Sequence, residues 1–275
     1  MVFEKVVVAV DGTRAGFEAG RQAARLVRPG GQLLLVAVAD PSLAIFNRWG
    51  PGPIVRPNEE RFGEVLALAS ERLTGCAEES LRAMRAQLPG VEGVREQVVE
   101  GQAWNALRDV ALAEVADLVV VGSHGGRRLT GIALGSTATE LLHAAPCSVL
   151  VARPPFDPGA FPSRLVAGID GSAASLAALD LANRIAVAAG VRTRASVLAA
   201  RGSGIDGTVL ERLAQPLPVE YRDIRPVEAL IEAAAEVDLV ILGARGLSGS
   251  RALGSVSERV AHRANSSVLV VRSRD

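Results

Sequence analysis

The chain has 275 residues, of which 49% are hydrophobic, and its 30 basic residues balance 30 acidic ones. A balanced charge excludes a global basic field that would attract nucleic acid or an anionic membrane, and no apolar run is long enough to span a bilayer. The N-terminal MVFEKVVVAVDG has the pattern of a strand rather than of a secretory signal. We therefore expect a cytoplasmic protein, and two cysteines predict no disulfide framework.

In the first half, short β-branched runs alternate with helix-length segments rich in alanine and leucine. Strands are predicted at about 4–10, 32–39, 94–99, 117–121 and 147–152, and helices at about 13–28, 59–88, 103–115 and 136–144. Runs that are apolar on both faces, such as VVVAV and DLVVV, indicate a parallel sheet covered by helices on both sides. Ligands of such sheets bind beyond the carboxyl ends of the strands, where Asp11, Val38 and Gly122 are expected to meet.

The second half of the chain repeats the first. KVVVAVDGT at 5–13 recurs as RLVAGIDGS at 164–172, and AEVADLVVVGSHG at 113–125 recurs as AAEVDLVILGARG at 234–246. The closing HAAPCSVLVAR at 143–153 recurs as HRANSSVLVVR at 262–272. Because the matches keep their order, the chain is a tandem duplication. We predict a first domain at 1–153, a proline-rich linker at 154–163, and a second, shorter domain at 164–275.

The segment GSHGGRRLTGIALGSTATELL at 122–142 has the composition of an anion-binding loop. Glycines can adopt positive φ and bring backbone N–H groups close to an anion, and the helix that follows adds its free N–H groups and dipole. Arg127 and Arg128 could donate to phosphate oxygens, or could form a solvated surface. The alternative is a turn with a serine N-cap that needs no ligand.

Several familiar motifs are absent from the chain. A P-loop needs a lysine after its second glycine, and the only lysine is Lys5, inside the first predicted strand. The turn after that strand, DGTRAG, does not fit the dinucleotide-binding fingerprint. There is no H-E-x-x-H, C-x-x-C or G-x-S-x-G, so the sequence supports no zinc protease, thiol-redox enzyme or hydrolase, and no metal site from protein ligands alone.

The spacing Gly122-Ser-His-Gly125, nine residues, then Gly135-Ser136 resembles the nucleotide loop of the universal stress protein family. The strand-ending aspartates in VDGT and IDGS and the closing GSVSERVAHRANSSVLVVR share this resemblance, which extends over nearly the whole chain. It implies two flavodoxin-like α/β domains, each a five-stranded parallel sheet with helices on both faces.

The resemblance also implies an ATP site in the first domain, with or without Mg²⁺. Adenine would lie against the backbone of Val10 and Val38, Asp11 would lie near the nucleoside, and the ribose and phosphates would contact the loop. Asp11 could instead be a turn or cap residue, and His124 an exposed loop residue without a partner. The implied nucleotide-binding residues are Ala9, Val10, Asp11, Val38, Val121, Gly122, His124, Gly125, Arg127, Arg128, Gly135, Ser136, Thr137 and Ala138.

The second domain departs from this pattern because only seven residues separate Gly246 from Gly254, two fewer than in the first loop. Ser257 restores a hydroxyl where the first domain has Ala138. We therefore expect nucleotide in the first domain, whereas the second could bind weakly, bind a smaller anion, or act only as a structural partner. The residues implied for this weaker site are Asp170, Leu242, Gly243, Arg245, Gly246, Gly254, Ser255, Val256 and Ser257.

We compare three functions with these patterns. The first is a nucleotide-binding stress or regulatory protein that hydrolyses ATP slowly at most, because no paired carboxylates and no lysine accompany the loop. The second is a nucleotide-independent scaffold of the same fold. The third is an ATP pyrophosphatase, which would need a serine-glycine-glycine loop that VDGT and IDGS do not supply. The last strands, SVLVAR and SVLVVR, would otherwise be exposed edges. The resemblance implies that they pair within the chain, and a homodimer of chains stays open.

Overall fold

The computed structural model describes residues 2–40, 59–124, 134–155, 159–191, 195–200, 206–215, 217–222, 225–244 and 253–272. Within these ranges the chain forms one ten-stranded sheet with helices packed on both faces, which confirms the predicted α/β fold. No helix in the described ranges combines the length and the apolar character needed to cross a membrane.

The first half alternates strands and helices, as its apolar periodicity predicts. Its elements in chain order are β1 (Phe3–Ala9), α1 (Arg14–Leu26), β2 (Val27–Ala39), α2 (Glu59–Ala86), β3 (Val94–Glu100), α3 (Ala103–Ala113), β4 (Leu118–Gly122), α4 (Ser136–Ala144) and β5 (Ser148–Ala152). The second half follows with β6 (Leu165–Ile169), α5 (Ala173–Ala188), β7 (Ala195–Ala200), α6 (Gly207–Ala214), β8 (Val219–Arg222), α7 (Pro226–Ala234), β9 (Leu239–Gly243), α8 (Ser255–Arg263) and β10 (Ser267–Val271).

The predicted boundary between α1 and β2 is wrong. The helix ends at Leu26 and the strand begins at Val27, because Pro29 disfavours helical geometry at the residue before it. Phe3 lies opposite Val27 and Lys5 opposite Gln32, so a bulge in β2 absorbs the extra residues. Helix α3 also ends two residues before the predicted position, since Val115 has a left-handed φ of 53°.

The strand order is β3-β2-β1-β4-β5-β10-β9-β6-β7-β8, and all neighbours are parallel except β5 and β10. Each half contributes five strands, with β1 and β6 in the middle of its set. Two apolar layers fill the two faces, one under α1, α2, α5 and α6 and the other under α3, α4, α7 and α8. Both layers run across both halves, so the core is continuous.

The two halves join at β5 and β10, where Leu150 lies opposite Leu269 in an antiparallel register. Beyond each strand an arginine crosses to the other half. Arg153 donates from Nη2 to the carbonyl of Ala261 in α8 (2.6 Å), and Arg272 donates from Nη2 to the carbonyl of Leu142 in α4 (2.7 Å). Burial lowers the pKa of the Arg153 guanidinium to about 10, so the group is charged at neutral pH.

Candidate functional site

A cavity of about 250 Å³ lies at the carboxyl ends of β1, β2 and β4, beside the start of α3 and of α4. The strand order reverses here, because β2 lies on one side of β1 and β4 on the other, and the diverging connections leave a crevice. Eleven of the residues predicted for the first site line it: Ala9, Val10, Asp11, Val38, Val121, Gly122, His124, Gly135, Ser136, Thr137 and Ala138. The other three predicted residues, Gly125, Arg127 and Arg128, lie outside the described residues.

Sequence reasoning missed three residues that also line the cavity, namely Val36, Ala103 and Leu107. Val36 precedes Val38 by two residues and therefore points to the same face of β2. Ala103 and Leu107 lie one helical turn apart at the start of α3. The same periods that predicted the elements could have identified these residues, once the crevice was placed on the face that α3 covers.

The cavity has an apolar base and a polar rim. Val36, Leu107, Val121 and Ala138 are buried, with at most 5% of each residue exposed to solvent. The exposed side chains are at the mouth, where Asp11, His124 and Ser136 lie. This arrangement suits a ligand that has a flat apolar end and a polar or anionic end.

Gly122 and Gly135, the two predicted loop glycines within the described residues, do not have the positive φ that the sequence prediction allowed for, and Gly125 lies outside the described residues. Gly135 has φ −65° and ψ 152°, and Gly122 is also outside the left-handed region. A Cβ at Gly122 would lie 2.8 Å from the carbonyl carbon of Ala15 and 2.9 Å from its Cβ. Gly122 is therefore required because the end of β4 packs directly against the first turn of α1.

Helix α4 begins without a side-chain cap, which contradicts the interpretation of this segment as a serine-capped turn. The N-cap is Gly135, and among the described residues no side chain caps the first backbone N–H groups of the helix. Gly135 itself donates its N–H to the carbonyl of Ser123 (2.8 Å). Because the first turn of α4 contains no acidic residue and faces the cavity mouth, its N–H groups and dipole can stabilise an anion there.

Asp11 has a local structural role as well as a place on the rim. Its Oδ1 accepts from the backbone N–H of Thr13 (3.0 Å) and from the Thr13 hydroxyl (2.7 Å), and that hydroxyl in turn accepts from the N–H of Gly16. The alternative of a turn residue ahead of α1 is therefore correct, and it does not prevent the carboxylate from lining the cavity.

Lys5, the only lysine, does not contribute to the site. Its Nζ donates to the carbonyl of Glu114 (3.2 Å), at the end of α3 that lies away from the cavity. A cation at the C-terminus of a helix interacts favourably with the helix dipole. No group of three or more potential metal-ligating side chains occurs in the part of the chain that the structure describes.

The second half repeats the framework of the site. Asp170 Oδ1 accepts from the N–H and hydroxyl of Ser172, and the N–H of Gly254 donates to Ala244, as in the first half. The hydroxyl of Ser257 donates to the carbonyl of Gly243 (2.7 Å), so it is bonded to protein. Leu242 is buried in β9, whereas Ser255 and Val256 begin α8. Arg245 and Gly246 lie outside the described residues.

Known proteins are similar to this chain in both sequence and fold. The model of the universal stress protein family matches residues 3–153 and 210–272. A universal stress protein of Mycolicibacterium smegmatis is 29% identical, with 98% of this chain and 97% of that protein covered. One from Mycobacterium tuberculosis is 28% identical, with coverages of 97% and 96%.

A solved structure shows the same fold along the whole chain. A universal stress protein from Archaeoglobus fulgidus matches with a TM-score of 0.66 at 18% identity, covering 98% of this chain and 96% of that one. At this identity the likeness concerns the fold alone, and the family model carries the assignment. The chain therefore belongs to the universal stress protein family.

Proposed function

We propose that the first half binds ATP and that the protein acts in a stress response by responding to nucleotide, with slow hydrolysis at most. The observation that carries this proposal is the pairing of a buried apolar base with the uncapped N-terminus of α4 at the mouth of one cavity. An adenine ring would enter between Val36, Val121 and Leu107, where apolar side chains replace water on both faces of the ring.

The phosphates would lie toward the first turn of α4. Ser136 and Thr137 begin this helix, so their N–H groups have no acceptor within it, and the positive end of the helix dipole lies at the mouth. Asp11 is the only carboxylate among the described residues that line the cavity, so it could give Mg²⁺ one oxygen ligand while phosphates and water supplied the rest. The described lining contains no pair of carboxylates, which favours binding over rapid turnover, and slow hydrolysis would depend on Asp11 or His124 to orient water.

The two halves would act as a pseudo-dimer within one chain. We propose that domains 1–153 and 164–275, joined by the linker at 154–163, pair through β5 and β10 in solution. The antiparallel register of these strands and the two crossing arginines support this pairing. It would cover the apolar last strands without a second chain, so a homodimer would need a different surface. We expect the protein in the cytoplasm, which cell fractionation would test.

Calorimetry on the full chain tests the nucleotide proposal. We expect ATP to bind with a stoichiometry of about one, and adenosine to bind more weakly, because it lacks the charge that the α4 dipole stabilises. Mass spectrometry of nucleotide carried through purification gives a second measurement. Absence of both heat and carried nucleotide, in a protein whose circular dichroism is native, would refute the proposal and favour the nucleotide-independent scaffold.

A further inference from the structure

The three strands that form the floor of the first cavity have an equivalent set in the second half. In the first half Ala9 pairs with Val36 on one side, and Val121 continues the register of β4 on the other. In the second half the corresponding position is Gly168, which pairs with Leu198 on one side and Leu242 on the other. Gly168 therefore stands where the first half has Ala9, and Leu198 and Leu242 stand where it has Val36 and Val121.

The leucines of the second half occupy the space above this glycine. A Cβ at Gly168 would lie 2.6 Å from Leu242 Cδ2 and 2.9 Å from Leu230 Cδ2. Carbon atoms in van der Waals contact are about 3.5–4.0 Å apart, so a methyl group at Gly168 does not fit unless these leucines move. Leu230 corresponds to Leu107 of the first half, where the same helix position leaves room for the cavity.

The leucines around Gly168 are buried, whereas Gly168 itself is half-buried, as is Ala9 in the first half. Leu198, Leu230 and Leu242 are exposed by only 6%, 4% and 2%, and they belong to the apolar layer beneath α7 and α8. Leu253, before the N-cap of α8, is also buried, whereas its counterpart Leu134 is half-buried. The position that corresponds to Val38 is Ala200, so the change to larger side chains is confined to the residues beside Gly168.

The mouth of the second half is also less suited to an anion. Glu258 lies in the first turn of α8, where the first half has Thr139. A carboxylate in this turn itself interacts favourably with the helix dipole, and its negative charge repels a phosphate. Its Oε1 lies 3.4 Å from His143 Nε2, across the junction between the halves.

We propose that Leu198, Leu230 and Leu242 close the second half to nucleotides, so that each chain offers a single adenine cleft. The restriction is built into the strands of the floor and is independent of the length of the glycine loop. The statement that the first half is the adenine cleft rests on the proposed function. The statement that leucines fill the second half does not.

The packing is tested by a stability cycle in the full chain. Gly168→Ala should lower Tm by roughly 3–8 °C, because its methyl group overlaps Leu242. In a Leu242→Val background, which recreates the residue pair of the first half, the same substitution should lower Tm by less than half as much. Equal losses in both backgrounds would overturn the proposal, since the leucine would then not occupy the space.

The reciprocal variant tests the cleft itself. Ala9→Gly combined with Val121→Leu gives the first cavity the glycine–leucine pair of the second half. ATP affinity of this double variant should fall at least tenfold, and its Tm should be higher than that of Val121→Leu alone, where the leucine overlaps the Ala9 methyl group. The control is Val120→Leu in the same strand, which should lower Tm because Val120 is fully buried in the opposite apolar layer. Unchanged ATP affinity in the double variant, or a Tm no higher than that of Val121→Leu alone, would contradict the inference.

Crystals of the parent protein grown with ATP show directly which half holds nucleotide. We expect nucleotide beside Ala9 only, and nucleotide beside Gly168 would overturn the inference. If the parent binds no ATP while all the Tm comparisons hold, the proposed function fails alone and the filled second cleft stands.

Discussion

At the scale of single residues, the glycines with the clearest sequence signal turn out to serve packing. Gly122 ends β4 where the backbone of Ala15 passes within 2.8 Å of a Cβ position, and Gly243 meets Ala174 in the same way at 2.6 Å. Gly16 leaves room for the carboxylate of Asp11. These glycines let α1 and α5 start directly against the sheet.

Gly122→Ala should therefore destabilise the fold by about 1–3 kcal/mol, through overpacking against Ala15. The control is Gly75→Ala in α2, where a Cβ meets nothing within 4 Å. That substitution should stabilise by about 0.5–1 kcal/mol, because it improves helix propensity without a steric conflict. Urea unfolding measures both. If Gly122→Ala were neutral, a role in ligand approach would replace the packing explanation.

Val115 is the one non-glycine residue with positive φ in the described part of the chain. A β-branched side chain in this conformation costs roughly 1–2 kcal/mol. Val115→Gly should therefore raise the free energy of unfolding by about 1 kcal/mol. Val187→Gly, at an exposed helical valine of α5, should lower it by a similar amount. Two losses of equal size would show that the turn at Val115 is not strained.

At the scale of elements, the N-caps hold the acidic residues that end the central strands. The hydroxyl of Thr13 accepts from Gly16 N–H (3.1 Å) and donates to Asp11, and Ser172 does the same for Ser175 N–H and Asp170. The cap that starts α1 thus also fixes a carboxylate on the rim of the cavity. The equivalent strand-to-helix turns of the two halves therefore have the same hydrogen-bond pattern.

Thr13→Ala should cost about 1 kcal/mol of stability, and Thr13→Ser should cost little because serine caps equally well. If Asp11 contributes to the nucleotide site, Thr13→Ala should also weaken ATP binding, since it removes one of the two hydrogen bonds that Thr13 donates to the carboxylate. Ser172→Ala provides the matched control in the second half, with the same loss of stability and unchanged ATP affinity. Loss of affinity in both variants would point to a general effect on the fold.

At the scale of the whole molecule, the sheet passes from one half to the other without a break, and buried polar groups close the junction. Ser267 Oγ donates to Gln22 Oε1 (2.9 Å), and Gln22 Nε2 donates to the carbonyl of Arg153 (2.6 Å). These bonds connect α1 of the first half with β10 of the second. A continuous core and a shared polar network predict that the halves unfold together.

Arg153→Met tests this coupling, because it leaves the carbonyls of Ala261 and Ser266 buried without their donor. We expect the free energy of unfolding to fall by about 2–4 kcal/mol, because hydrogen bonds made by a charged group are lost and their acceptors stay unpaired.

The parent protein allows a second test of the coupling. Both tryptophans, at 49 and 104, belong to the first half, so fluorescence reports that half and circular dichroism reports both. The two transitions should coincide in the parent protein. Separate transitions there would mean that the halves fold independently.

The sequence alone was sufficient for the order of elements, the duplication and most of the site. Strands with apolar residues on both faces can be stable only inside a helix-covered parallel sheet, so periodicity determined the architecture of β1 and β4. The strand pattern placed Asp11, Val38 and Gly122 at one sheet edge, and the resemblance to the universal stress proteins implied the other eight of the eleven predicted residues that line the cavity. The start of β2 was predicted wrongly, because residue propensities contain no information about a bulge that forms against the neighbouring strand β1.

Only the tertiary structure decided what the glycines do and how the two halves differ. The approach of Ala15 to Gly122 depends on how α1 packs, which no local pattern encodes. The exchange of Val121 for Leu242 is conservative in sequence, and periodicity assigns both to buried strand positions. Its effect depends on three strands brought together by the fold, because one methylene group matters only where its neighbours leave a cavity or fill it.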